Sequence, residues 1–102
     1  RFALYGSRYT LYNAGKMNDP QELVADVVGR CCESGDIIQK NVPLPATVRG
    51  DTIAVLTTGA YNYSMASNYN RIGRPPVVLL SQGGSKVAVK RESLDDLIAN
   101  DI

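Results

Sequence analysis

Cys32 stands directly before Glu33, and Gly35-Asp36 close the run shortly after. A thiol beside a carboxylate offers two kinds of chemistry. A free thiol titrates near about 8.5, close enough to neutrality to donate a proton when its surroundings tune it. A carboxylate pairs with an ammonium. Arg1, Tyr5 and Tyr61 extend the set. A guanidinium fork grips a carboxylate at two points, and a phenol adds a further donor. Together these groups suit a small molecule bearing a carboxylate and an ammonium, with a proton transfer. The chain has no histidine and no recognisable phosphate loop, so the expectation is part of an enzyme.

Each residue also has a plainer reading. A free cysteine is most often a small buried hydrophobe, and Cys32 is open to that role. Cys31 has no carboxylate after it. On a strand the two thiols would point to opposite faces, so that only one faces a given site. Glu33 reads equally as a solvated turn residue. Asp36 reads as structural, bonding local backbone to fix the turn. Arg1 and Tyr5 lie four apart and share a face if the chain starts as a strand. The alternative is a surface arginine next to a core tyrosine. Tyr61 follows Gly59-Ala60, small residues that admit a ligand or another backbone. Its phenol donates to a phosphate, packs on a ring, or plugs the core.

The elements that must position these groups read as mostly β. Phe2-Ala3-Leu4-Tyr5 and Tyr9-Thr10-Leu11-Tyr12 are short aromatic-rich strand runs separated by Gly6-Ser7. Asn18-Asp19-Pro20 is a turn. Glu22 to Val28 has helical spacing, but its β-branched content and Gly29 favour a strand. Ile37-Ile38 follows the Gly35-Asp36 turn, and Val42-Pro43-Leu44-Pro45 reads as an extended connection. Arg49-Gly50-Asp51 feeds the strand Thr52 to Leu56. Asn62 to Asn70 is a short helix or an ordered loop, broken by Arg74-Pro75-Pro76. Val77 to Leu80 and Lys86 to Lys90 form a hairpin whose glycines supply positive φ. Ser93 caps a final helix, with Asp96 at its third position. The expected fold is mainly β, a Greek-key β-barrel or sandwich with one or two short helices, one of them C-terminal.

At 102 residues the chain is expected to be one domain, residues 1–102, and 44% hydrophobic content supports a core. The net charge of +1, with only Lys90-Arg91 adjacent among the basic residues, argues against nucleic acid. No apolar run approaches the roughly 20 residues of a membrane span. Cys31 and Cys32 are neighbours, with α-carbons about 3.8 Å apart, below the disulfide range. Two free thiols in a reducing, cytoplasmic compartment follow. A start at Arg1-Phe2 without an initiator Met is expected of a segment cut from a longer chain.

The ordered motifs carry a resemblance across nearly the whole chain. Arg1-Phe2-Ala3-Leu4-Tyr5-Gly6, Val28-Gly29, Cys32-Glu33-Ser34-Gly35-Asp36, Gly50-Asp51, Gly59-Ala60-Tyr61, Tyr63-Ser64-Met65, Asn68-Tyr69-Asn70, Arg74-Pro75 and Arg91-Glu92 resemble the C-terminal domain of the diaminopimelate decarboxylase family. That resemblance implies a pyridoxal-phosphate enzyme pairing an alanine-racemase-like barrel with this β domain in a homodimer. It implies decarboxylation of meso-diaminopimelate to lysine. Arg1 and Tyr5 would then hold the distal carboxylate and Glu33 the distal ammonium. Cys32 would be the proton donor, Tyr61 would contact cofactor and substrate, and Cys32 and Glu33 would reach the partner subunit's active site. The Schiff-base lysine would lie in the absent N-terminal barrel domain, so this segment alone is expected to be inactive. Phe2 and Cys31 depart from the family pattern. Competing expectations are a related decarboxylase of ornithine, arginine or carboxynorspermidine, or a non-catalytic dimerisation domain.

Overall fold

The alternation Leu11-Tyr12-Asn13 becomes β1 (Leu11–Asn13) in the computed structural model, which describes residues 2–102, with side chains from Leu4 onward. Leu11 and Asn13 turn inward and Tyr12 outward, as period-two geometry requires. β1 pairs antiparallel with β4 (Ile53–Val55) in the register Leu11↔Val55, Tyr12↔Ala54, Asn13↔Ile53. β2 (Leu23–Val28) pairs antiparallel with β3 (Ile37–Leu44). These elements belong to a first unit, Arg1–Tyr63, and a second spans Ser64–Ile102. The mainly β expectation holds. The strands form three two-stranded antiparallel ladders, with no closed barrel among the described residues.

In the first unit, Val42 and Leu44 of β3 are buried with Leu11. Tyr9, Ala25, Val27, Ile38, Ile53 and Val55 pack around them. Each of the three buried side chains contributes about 1.5–3 kcal/mol by leaving water. β3 is longer than its sequence suggests, because Val42-Pro43-Leu44 continues it. A bulge explains why. Ala25 faces Val42 while Val27 faces Gln39, which gives β3 one extra residue. Asn41 takes a left-handed φ of 55° there, and Asp26 accepts its N–H at 2.9 Å. The extra residue returns Gln39 and Val42 to one face, although they are three apart.

The expected first strand is not one. Phe2–Tyr5 forms a helical turn, α1, ended by Gly6 at a φ of +62°. The segment has no β-branched residue and no ladder partner, and a left-handed glycine is a standard helix stop. Arg1 lies outside the described residues, so the shared strand face expected for Arg1 and Tyr5 has no counterpart.

Asn13 is the buried hub of the unit at 2% exposure. Its Nδ2 donates to Thr47 Oγ1 at 3.1 Å and to Asp51 Oδ2 at 3.0 Å, and its Oδ1 accepts from the Gly15 N–H. Asp51 Oδ2 also accepts from Lys16 Nζ at 2.9 Å and the Val48 N–H at 3.0 Å. These bonds fasten the turn after β1 to the loop before β4. Asn13→Ala is expected to cost about 1–3 kcal/mol by orphaning buried partners. For a domain of this size that is a fall in Tm of about 4–8 °C per kcal/mol, read by thermal melting.

The second unit carries the expected hairpin, β5 (Val77–Ser81) and β6 (Gly84–Val89). Its two-residue turn has positive φ at both Gln82 (46°) and Gly83 (77°), the type I′ geometry that matches strand twist. α2 (Leu94–Ile98) starts with the expected capping box, Ser93 and Asp96 bonding each other's backbone. Between them Glu92 clamps the chain. It accepts from Asn68 Nδ2, the Arg74 N–H and the Arg74 guanidinium at 2.6–2.8 Å. A Tyr69–Arg71 3-10 turn follows Asn68, and Arg71 bridges Asp101 at 2.7 Å.

Two carboxyls carry an acid-sensitive part of the stability. The Arg74 guanidinium, then the Arg74 N–H and Asn68, hold Glu92 at about 2. The Lys16 ammonium, then the Val48 N–H and Asn13, hold Asp51 at about 2. A carboxyl whose folded pKa lies below its unfolded one stabilises fully above the unfolded value, near 4, and that stabilisation is lost as pH falls through 2. Tm is therefore expected to drop between about pH 5 and pH 2. Glu92→Gln should melt lower at pH 7 and lose less on acidification. Melts across that range, followed by circular dichroism, check both.

Candidate functional site

The loop between β2 and β3 carries the adjacent thiol and carboxylate. Its ends are tied by the Gly29 N–H donating to Asp36 O at 2.8 Å. The Asp36 carboxylate turns inward and accepts the Cys31 N–H at 2.9 Å, the structural role read from the sequence. It lies so close over Gly29 that a Cβ there would overlap it, which is why the residue is glycine. Glu33 N–H donates to Cys31 O at 2.8 Å, a three-residue turn with Cys32 at its apex. Asp36 N–H donates to Glu33 O at 3.1 Å, so Ser34-Gly35 form the next turn. The Glu33 carboxylate folds back over Gly35, where a Cβ would stand 2.8 Å from Oε1.

The strand alternation that would set the two cysteines on opposite faces does not apply here. Cys31 and Cys32 lie in a bend, where strand alternation does not force side chains apart. Neither is in a disulfide; Cys31 is half-buried and Cys32 exposed. Burial, and then the Asp36 carboxylate beside it, push the Cys31 thiol up. Cys32 is not the buried hydrophobe of the plainer reading.

The other expected site residues stand on different elements of the same unit. Tyr5 ends α1 and is 72% exposed. Tyr61 sits in the turn after β4, 74% exposed, where Asn62 N–H reaches back to Thr58 O. That turn follows Thr57, a β-branched residue held at a φ of 59°. Such a conformation is strained for a branched side chain. Cys32 and Glu33 are brought together by the loop itself. Tyr5, Cys32, Glu33 and Tyr61 all face solvent, and none lines the hollow of about 590 Å³ between β1 and β3. That hollow is walled by residues such as Arg8, Tyr12, Lys40 and Pro43. No cluster of three or more metal-ligating side chains occurs among the described residues, and no helix among them is long and apolar enough to cross a membrane.

Sequence reasoning missed the Asn13–Asp51 and Glu92 networks. An inward-facing Asn13 in an alternating strand was the available signal, since a buried amide requires partners. Asn68, Arg74 and Glu92 belong to the motifs of the family resemblance. They act here as a structural clamp.

The family described as pyridoxal-dependent decarboxylase, C-terminal sheet domain, matches residues 1–59. The diaminopimelate decarboxylase of Synechocystis sp. is 50% identical over 97 residues, covering 95% of this chain and 21% of that protein. That of Bacillus subtilis is 42% identical over 102 residues, covering 100% and 23%. A crystal structure of diaminopimelate decarboxylase from M. jannaschii in complex with L-lysine superposes with a TM-score of 0.90 at 37% identity, over 100% of this chain and 23% of that one. The chain thus spans less than a quarter of the length of these relatives.

Proposed function

We propose, from the premise that the chain belongs to the family of pyridoxal-dependent decarboxylase C-terminal sheet domains, that it is the sheet-domain part of a diaminopimelate decarboxylase. The reaction is loss of CO2 from meso-2,6-diaminopimelate to give L-lysine. The observation that carries this reading is the loop from Gly29 to Asp36. Its ends are pinned by Asp36, and its tip presents a thiol and a carboxylate to solvent on consecutive residues. Such a tip is open to a molecule that approaches from solvent.

In this reading Cys32 Sγ delivers a proton to the α-carbon after CO2 leaves. Glu33 holds the distal ammonium, Arg1 and Tyr5 hold the distal carboxylate, and Tyr61 contacts substrate and cofactor. A diamino dicarboxylate calls for both clamps. A substrate of the ornithine or arginine type has no second carboxylate for Arg1. Pyridoxal phosphate, when bound, takes up the electron pair left as CO2 departs. The exposed phenol of Tyr61 fits a contact to it. Lys16 is committed to Asp51 and Ala46 O, and the lysine anchor is assigned to the N-terminal barrel domain. The exposure of Cys32 and Glu33 fits their reaching the partner subunit's active site in a homodimer. Two cysteines outside any disulfide fit the cytoplasm.

The isolated 102-residue chain is expected to form no lysine. Mixing it with the separately produced barrel domain and pyridoxal phosphate should restore lysine formation from meso-diaminopimelate. Turnover by this chain alone would overturn the division of roles. Association of the two parts without activity would leave a scaffold.

A further inference from the structure

Cys31 and Cys32 are consecutive, half-buried and exposed respectively, and neither is in a disulfide. Cys31's place is fixed from both sides: its N–H donates to Asp36 Oδ2 at 2.9 Å, and its carbonyl accepts the Glu33 N–H at 2.8 Å. The tight turn centred on Cys32 removes the strand alternation that would separate the two thiols. A direct bond between them is still disfavoured, because neighbouring α-carbons lie about 3.8 Å apart and disulfides need about 4.4 Å or more. A soft atom bridging the two sulfurs relaxes that restriction, since the sulfurs no longer have to approach to about 2.0 Å. Thiolate sulfur is the side-chain donor that soft centres select.

We infer that Cys31 and Cys32 together form a chelating dithiol site for trivalent arsenicals. The step is redox-neutral. An aryl arsenoxide reacts with the two thiols; both S–H bonds and the arsenic–oxygen bond break, two As–S bonds form, and the oxygen leaves as water with both thiol protons. Arsenic stays trivalent, and each sulfur passes from thiol to arsenic-bound thiolate with no change of oxidation state. Burial and the Asp36 carboxylate push the Cys31 thiol up, so the Cys31 proton leaves as its As–S bond forms. The assignment is independent of what Cys32 does in any reaction.

The test treats the 102-residue chain with phenylarsine oxide and follows it by intact mass and thiol titration. The expected result is one aryl-arsenic group per chain with both thiols lost together. It should resist excess 2-mercaptoethanol and reverse with 2,3-dimercaptopropanol. Cys31→Ser and Cys32→Ser, checked for folding by circular dichroism, should each bind more weakly by on the order of 10²–10⁴-fold, because the second bond of the chelate becomes intramolecular only in the native pair. Release from the native chain by the monothiol would overturn the inference without reference to any variant. Equal retention by either single variant would overturn it as well.

Discussion

Cys32→Ala in the full-length enzyme is expected to lower kcat about 10²–10⁴-fold, the usual worth of a positioned proton donor, while KM changes little. The substitution removes one sulfur from an exposed loop apex, so no core packing is lost and folding should be unaffected. Nor are the bonds that hold the loop touched: Asp36 to Cys31 N and Gly29 N to Asp36 O are made by other residues. A donor acting only in the transition state lowers kcat and kcat/KM together. Steady-state assay of lysine formation, with retention of the pyridoxal chromophore as a control, reads the effect. Cys31→Ala is the internal comparison and should keep most of the activity, because Cys31 is the less exposed of the two and has no proposed role in the reaction. Unchanged turnover in Cys32→Ala would reduce the chain to a scaffold.

Glu33→Gln should act differently. The side chain keeps its shape and loses its charge, so an ammonium that it holds loses its counter-ion. The loss in kcat/KM is expected to be on the order of 10²-fold, mostly in KM, since the distal end of the substrate is bound equally before and during reaction. An analogue lacking the distal amine should discriminate poorly between native and variant enzymes. Gly35 belongs to the same argument. The Glu33 carboxylate folds over it, so swinging that carboxylate outward to a ligand breaks no core contact. Equal kinetics of the native and Glu33→Gln enzymes on meso-diaminopimelate would remove Glu33 from the substrate site.

Local features were legible from the sequence because their causes are local. Gly83 in a two-residue turn, Ser93 with Asp96 at the head of α2, and Asp36 fixing the loop are each decided within a few residues. The β2 strand was legible for a related reason, its run of β-branched residues. Phe2–Tyr5 was misread because aromatics suggested a strand, while the deciding signal was Gly6 as a helix stop. The extent of β3 was hidden by Pro43. A ladder with a partner on one side only tolerates a proline, and the Asn41 bulge resets the inward face in a way that simple alternation does not foresee.

The candidate site divides along the same line. Residue types were enough to single out Cys32 and Glu33 with Arg1, Tyr5 and Tyr61 beside them, and the family resemblance assigned each an expected role. How the thiols are presented was a matter of tertiary structure. The three-residue turn at Cys32 and the Asp36 carboxylate bonded to Cys31 N–H set it, and strand alternation does not apply. The Asn13–Lys16–Asp51 network spans up to 38 positions in sequence, and Glu92 reaches 18 and 24 positions back to Arg74 and Asn68. The sequence by itself determined the mainly β class, the turn chemistry and the adjacency of the candidate thiol and carboxylate, because propensity, glycine conformations and capping act between near neighbours. Only the tertiary structure decided which polar groups are buried together and which residues stay exposed at the loop tips, because hydrogen-bond partners far apart in the chain are chosen by packing.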